Sequence, residues 1–284
     1  MNPIMPKGKV ILAGAGPGDP DLISVKAANY LQQADVVLTD RLVSKEIIAR
    51  YVKSSALLIE VGKQCRRGVS TPQLTINEML VKYAKQGKLV VRLKGGDVAF
   101  YSNVFDELEI LVSQKIPYEI VPGITAASGA SAYAGIPLTA RDHATAVRFL
   151  TYYTSAAVKE DYWKELAGTE DTLVFYMSSE TLDELVNKLM ENGMAADTQL
   201  AVVEQASTPF QQVYITAIQD YVNTLKGQSF LSPSLVIIGK VVGLHQSFNW
   251  FTGSDTKEYY FQPLTAQVET MVKNDTNKRY VSRA

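Results

Sequence analysis

The stretch Val10–Ile11–Leu12–Ala13–Gly14–Ala15–Gly16–Pro17–Gly18–Asp19–Pro20 constrains what this chain can fold into more than any other. An aliphatic run breaks into glycines, prolines and an acid, and a helix-patterned segment follows from Asp21–Leu22. A buried strand entering a tight glycine turn and then a helix is the opening of an open α/β sheet. Such sheets hold ligands at the carboxyl ends of their strands. The alternation continues downstream. Ile23, Ala27, Tyr30, Leu31 and Ala34 mark one face of a helix, Asp35–Asp40 reads as a second strand, and Ser44 caps a short helix through Arg50. Leu57–Val61 is a third strand, Ile76, Met79, Leu80, Tyr83 and Ala84 form a helical stripe ending at Gly87, and Leu89–Leu93 is a fourth strand. Val104, Leu108, Leu111 and Val112 form another apolar stripe before the strand Tyr118–Val121. Strands and helices in this order predict helices packed on a mostly parallel sheet.

Pro122–Gly123 reads as the crossing into a second half, which begins with the Ala-, Ser- and Gly-rich helix Thr125–Ala134. Strands are expected there at Val147–Tyr152, Thr172–Met177, Leu200–Glu204, Val213–Thr216 and Leu235–Val242. A helix carries Leu182, Leu185, Val186, Leu189 and Met190. The short strands and the alternation in Val213–Thr216 predict mixed parallel and antiparallel pairing. At 284 residues, 46% of them hydrophobic, the chain can build two cores. The expected division is residues 1–119, residues 120–252 and a polar tail over residues 253–284, with at most a short helix at Leu264–Val272.

Composition narrows the function classes. A net charge of −1 gives no global attraction to nucleic acid or anionic lipid, so a polyanionic ligand requires a local basic cluster. One cysteine, Cys65, excludes a disulfide framework and a Cys-based metal site, and His143 with His245 is too few for a His-rich centre, so no metal is expected. No apolar run approaches the roughly 18 residues of a membrane span. Lys7 and Lys9 precede a stretch too short for a signal peptide, and a cytoplasmic location is expected.

The glycine turn first suggests a dinucleotide site, with Asp40 at the spacing of a ribose-binding acid. Asp19 stands at the third glycine position of that fingerprint, and Pro17 removes an N–H from the phosphate cradle. A turn with proline and acids suits a cationic or zwitterionic ligand better.

Gly14–Ala15–Gly16–Pro17–Gly18–Asp19–Pro20 resembles the opening motif of the tetrapyrrole methylases. Asp40–Arg41–Leu42–Val43–Ser44, Val61–Gly62–Lys63, Arg92–Leu93–Lys94–Gly95–Gly96–Asp97 and Val121–Pro122–Gly123–Ile124–Thr125–Ala126–Ala127–Ser128–Gly129 agree in order and spacing, and Ala134–Gly135–Ile136–Pro137–Leu138–Thr139 continues the last of these. The resemblance covers roughly Lys9–Phe251. Within the superfamily the wording is closest to the uroporphyrinogen-III C-methyltransferases.

The resemblance implies a two-domain α/β fold of the class III methyltransferase type, with the ligand cleft between the domains, S-adenosyl-L-methionine as methyl donor, a tetrapyrrole substrate and a homodimer. The implied reaction adds two methyl groups to ring carbons of uroporphyrinogen III, which requires alignment of carbon, methyl and sulfur and management of protons. Asp40 matches the family's proton acceptor and Lys63 its proton donor. Asp40 follows an apolar strand, so one side of it is expected to be dry. Read from the residues alone, they are a strand-end acid and a solvated loop lysine. For the eight carboxylates of the substrate, Arg41, Arg66, Arg67, Arg141 and Arg148 are candidates, with Lys63 beside them. For the donor, Pro17, Gly95, Gly96, Asp97, Phe100, Thr125, Ala126, Met177 and Ala206 are the matching positions. Glycines allow close backbone approach, the carboxylate of Asp97 can take an amino group or ribose hydroxyls, and Met177 is a wall for the adenine.

The chain departs from the family pattern after Asp97, where Val98–Ala99–Phe100–Tyr101–Ser102–Asn103–Val104–Phe105–Asp106–Glu107 replaces a loop that ordinarily holds an arginine and paired glycines. Ala140, Tyr152–Tyr153 and Ala206–Ser207 also replace the usual residues. These changes bear on substrate more than on cofactor. The competing readings are a later corrin-pathway ring methylase, a methylase of a modified protein histidine, and a protein that binds S-adenosylmethionine or a tetrapyrrole without turnover.

Overall fold

Residues 8–61, 72–152 and 160–261 are described by the computed structural model. The chain opens with β1 (Lys9–Gly14), α1 (Val25–Gln33), β2 (Val36–Thr39), α2 (Lys45–Tyr51), β3 (Leu57–Glu60), α3 (Gln73–Lys85), β4 (Leu89–Lys94), α4 (Val104–Ser113) and β5 (Tyr118–Val121). The five strands form one parallel sheet in the order β3-β2-β4-β1-β5. β1 is buried on both faces, as parallel strands under helices must be. Ile11 and Ala13 pack with Ala27 and Leu31 of α1 and Ile47 of α2. Val10 and Leu12 point the other way, towards Ile76 and Leu80 of α3 and Leu111 of α4.

Local chemistry sets the helix boundaries. The helix expected from Asp21–Leu22 begins only at Val25. Pro20–Leu22 is a single 3-10 turn braced by Asp19, and Ser24 caps α1 by accepting from the Ala27 N–H. Ser44 caps α2 in the same way, through the Ile47 N–H. The inward stripe of α4 also differs from expectation. Val112 is exposed, and Glu107 takes the buried position one turn before Leu111.

A second unit contains α5 (Ala126–Ala134), β6 (Val147–Thr151), α6 (Glu160–Ala167), β7 (Thr172–Tyr176), α7 (Leu182–Glu191), β8 (Gln199–Glu204), β9 (Gln212–Ala217) and β10 (Ser234–Ile238). Its sheet runs β6-β7-β10-β8-β9, with β6 parallel to β7 and the remaining pairs antiparallel. α6 and α7 cover one face and α5 the other. The expected strand Leu235–Val242 stops at Ile238, because Gly239 at φ +138° turns the chain into the 3-10 segment Lys240–Leu244.

The two compact units divide between Ile124 and Thr125, and Phe261 belongs to the first. The division falls after β5 rather than within it, because β5 completes the first sheet beside β1. Gly253–Tyr260, expected to open a polar tail, is tied to the second unit: the Gln205 side chain donates to the Glu258 carbonyl at 2.8 Å and accepts from the Tyr260 N–H at 2.7 Å. The helix expected at Leu264–Val272 lies outside the described residues. Among the described residues no helix is long and apolar enough to cross a membrane.

Glu119 of β5 links two elements of the first sheet. It accepts from Lys9 of β1 at 2.5 Å, from the Tyr30 hydroxyl of α1 at 2.7 Å and from Lys26 of α1. These bonds, led by Lys26 and then Lys9, pull its carboxyl down to about 2 from an ordinary 4.5. A depressed carboxyl contributes stability that is complete above the unfolded value and lost as pH falls through the folded one. Unfolding midpoints measured in urea between pH 6 and pH 2 should therefore fall less steeply in Glu119→Gln than in the wild type, with the difference confined to the interval below about 4.5.

Candidate active site

The first sheet has a topological switch point. The connections leaving β1 and β2 pass over the α1/α2 face, and the one leaving β4 passes over the α3/α4 face. β4 lies between β2 and β1, so the carboxyl ends of these three strands border a crevice where open α/β sheets bind ligands. Gly14–Gly18, Asp40–Arg41 and Gly95–Asp97 all leave from that edge.

The turns there are packed backbone against backbone. Gly16 and Gly96 exchange hydrogen bonds, N–H to carbonyl at 3.1 Å and 2.8 Å. A Cβ on Gly14 would lie 2.6 Å from the Gly96 carbonyl oxygen and 2.7 Å from Gly123, and one on Gly123 would lie 2.4 Å from the same oxygen. Asp97 completes the lock, accepting from the Ala99 N–H at 2.7 Å and, through its other oxygen, from the Gly123 N–H at 2.8 Å. Its carboxylate organises the ends of β4 and β5 in addition to any ligand it meets. Pro17 and Gly18 lie buried behind this contact, whereas Phe100 and Tyr101 are exposed on the following loop.

Asp40 stands at the end of β2, and its surroundings are more polar than the half-dry position expected from an apolar strand. It accepts from the Leu42 N–H at 3.0 Å and the Gly95 N–H at 3.3 Å, and Arg92 Nη2 lies 3.9 Å from its Oδ2. Arg92 donates through Nε to Glu107 at 3.1 Å, and Lys94 donates to both oxygens of Glu107 at 3.0 and 3.1 Å. Arg92, Lys94 and Glu107 are all buried. Burial, with Arg92 alongside, pushes the Lys94 ammonium below the ordinary lysine value despite the Glu107 carboxylate. Sequence reading missed this group. The available signal was two basic residues on one face of an apolar strand, matched by a glutamate inside an apolar helical stripe.

In the second unit, the other expected donor-binding positions meet around the carboxyl end of β7. The Tyr176 hydroxyl bonds Thr125 Oγ1 at 2.7 Å and accepts from the Ala127 N–H at 3.2 Å, which pins the start of α5. Ala126 and Ala206 pack in the same apolar group as Tyr176. Met177 has φ +53° and is 38% exposed, and Gln205 and Ser207, on either side of Ala206, have φ +47° and +63°. Three left-handed non-glycine residues after two strand ends are backbone strain, which concentrates at functional sites.

The basic candidates separate. Arg41 is half-buried, reaching the Phe261 carbonyl at 3.5 Å, and Arg141 is exposed on a turn. Arg148 is engaged at the side of its own sheet by Asp171 at 2.6 Å and Glu165 at 2.5 Å, so its charge is already compensated. Lys63, Arg66 and Arg67 lie outside the described residues.

Residues 9–221 match the family model of the Tetrapyrrole (Corrin/Porphyrin) Methylases. The chain belongs to the tetrapyrrole methylases. A siroheme synthase from Vesicomyosocius okutanii subsp. Calyptogena okutanii is 45% identical over 244 residues, covering 86% of this chain and 52% of that protein. The chain thus spans about half the length of the curated relatives it matches. Uroporphyrin-III C-methyltransferase of Thermus thermophilus, solved with S-adenyl homocysteine, superposes with a TM-score of 0.70 at 30% identity, over 84% of this chain and 100% of that one. A cobalt precorrin-4 methyltransferase from cobalamin biosynthesis gives a TM-score of 0.73 at 29% identity, over 82% and 95%. The loops at Gly14–Gly18, Asp40–Arg41, Gly95–Asp97, Met177 and Gln205–Ser207 all lie within the residues that match the tetrapyrrole methylases.

The glycine contact at the heart of this tetrapyrrole methylase is directly testable. Gly14→Ala and Gly123→Ala should each lower unfolding stability by about 1–3 kcal/mol, since the added methyl meets backbone that cannot swing away. Gly168→Ala, whose Cβ would lie 3.4 Å from one carbonyl, should stay within about 0.5 kcal/mol. Urea denaturation of the three variants provides the check.

Proposed function

We propose that this chain is an S-adenosyl-L-methionine-dependent C-methyltransferase that converts uroporphyrinogen III to precorrin-2 by two ring methylations. The observation that carries the reading is Asp40, oriented by backbone N–H groups at the switch-point edge of a tetrapyrrole methylase. The similarity to a siroheme synthase and to a uroporphyrin-III C-methyltransferase supports the substrate class.

The residues fit the donor chemically. Gly14–Leu22 carries Asp19 and Asp21 and no cationic side chain, so the turn does not repel a positively charged sulfonium. S-adenosyl-L-methionine, when bound, supplies an electrophilic methyl group. Pro17, Gly95, Gly96, Asp97 and Phe100 of the first unit, with Thr125, Ala126, Met177 and Ala206 of the second, are the residues we assign to holding it. The glycines and alanines among them permit close backbone approach to a nucleoside, and Asp97 adds an acceptor. Asp40 takes the proton that must leave as the macrocycle rearranges after methylation, and Lys63 returns one elsewhere on the ring. Arg41, Arg66, Arg67 and Arg141 are assigned to the substrate carboxylates, where charge-assisted bonds orient the ring.

Anaerobic incubation with uroporphyrinogen III and S-adenosyl-L-methionine should add two methyl groups by mass. Absence of any added methyl rejects the substrate, and methylation confined to a later corrin-pathway intermediate supports the second reading, a later ring methylase, which the similarity to the cobalt precorrin-4 enzyme favours. Asp40→Asn should lower kcat by about 100-fold or more while leaving S-adenosylhomocysteine affinity nearly unchanged, as calorimetry would show.

A further inference from the structure

The charges beneath Asp40 form a set with a direction. Arg92, Lys94 and Glu107 have side chains 4%, 4% and 0% exposed, while Asp40, at 22%, is the member that reaches solvent. Arg92 is held from three sides, by Glu107 through Nε and by the Leu38 and Leu93 carbonyls through Nη1 at 3.3 and 3.1 Å. Its remaining nitrogen, Nη2, faces the Asp40 carboxylate. Lys94 occupies both oxygens of Glu107, which fixes the anion that fixes Arg92.

Charges inside a sheet are expensive, and an apolar set of the same volume would pack as well or better. In their charged forms Arg92, Lys94 and Glu107 sum to one positive charge, and the Asp40 carboxylate brings the four to zero. The set as a whole is therefore neutral only while Asp40 lies where it does, beside Arg92. We propose that Arg92 is a positioning residue for Asp40, itself anchored by Glu107 and Lys94, so that the carboxylate at the edge of the sheet is oriented from within it. This rests on the reading of Asp40 as proton acceptor, which it deepens by naming what holds the acceptor in place.

The test uses the full chain. Lys94→Met combined with Glu107→Gln removes one charge of each sign at nearly constant volume, and it should fold and bind S-adenosylhomocysteine within about 2-fold of the wild type. Its kcat should fall about 10-fold with KM little changed, because the misplaced group acts only in the chemical step. Arg92→Met should lose at least as much. Introduced into Asp40→Asn, both changes should cost less than about 2-fold, since Arg92 acts through Asp40. A full loss persisting in that background overturns the proposal. A readout without turnover is the carboxyl 13C resonance of Asp40, assigned by its disappearance in Asp40→Asn. It should shift in the Lys94→Met/Glu107→Gln variant, and an unchanged resonance also overturns the proposal. Because that measurement needs no substrate, it separates failure of this inference from failure of the proposed reaction. Should Arg92→Met not fold, the charge-balanced pair carries the test alone.

Discussion

The first unit depends on the close approach of three backbones at one edge of its sheet. Parallel pairing sets Gly14 beside Lys94 and Ala13 beside Val121, so β1, β4 and β5 end level with one another. Their turns then collide unless side chains are absent. Gly14 and Gly123 supply that absence against the Gly96 carbonyl, and the Gly16–Gly96 hydrogen bonds with the Asp97 carboxylate hold the result. A ligand arriving at this edge meets loops already ordered, so less of its binding free energy goes into arranging them.

Below the same edge, β4 does something that central parallel strands rarely do. Its outer residues toward α3 and α4 are Arg92 and Lys94, and α4 answers with Glu107. The desolvation cost of such a group is offset only by complete pairing, and each of the buried atoms involved has its partner in Glu107, a strand carbonyl or Asp40. The surface group around Glu119 is different in kind. It joins β1, α1 and β5 through half-buried and exposed side chains, and its contribution is open to pH and salt.

The second unit shapes its strand-end loops by other means. A mixed sheet places the ends of β7 and β8 at one edge with antiparallel β10 between them. Left-handed backbone at Met177, Gln205 and Ser207 shapes the loops that leave it. Glutamine amides hold those loops: Gln205 grips Glu258 and Tyr260, Gln211 joins Ser207 to Tyr133, and Gln212 takes the Ser254 carbonyl. A polar composition made Gly253–Tyr260 read as tail, yet backbone hydrogen bonding to buried amides needs no apolar side chains.

The sequence by itself determined the elements and the family. Strand period, Ser24 and Ser44 caps and glycine turns are local signals, and together they mark the parallel half and the strand-end loops. The family motifs mark Asp40, Gly95–Gly96–Asp97 and Thr125–Ala126. Only the tertiary structure decided what those residues do to one another. The glycines serve loop packing because three distant turns converge, which no single motif reports. Val112 and Glu107 exchange places in the α4 stripe because two basic residues of a neighbouring strand demand an anion there. Asp40 is donor-lined rather than half-dry because Gly95 and Arg92, more than fifty positions away, are brought to its carboxylate by the register of β2 on β4.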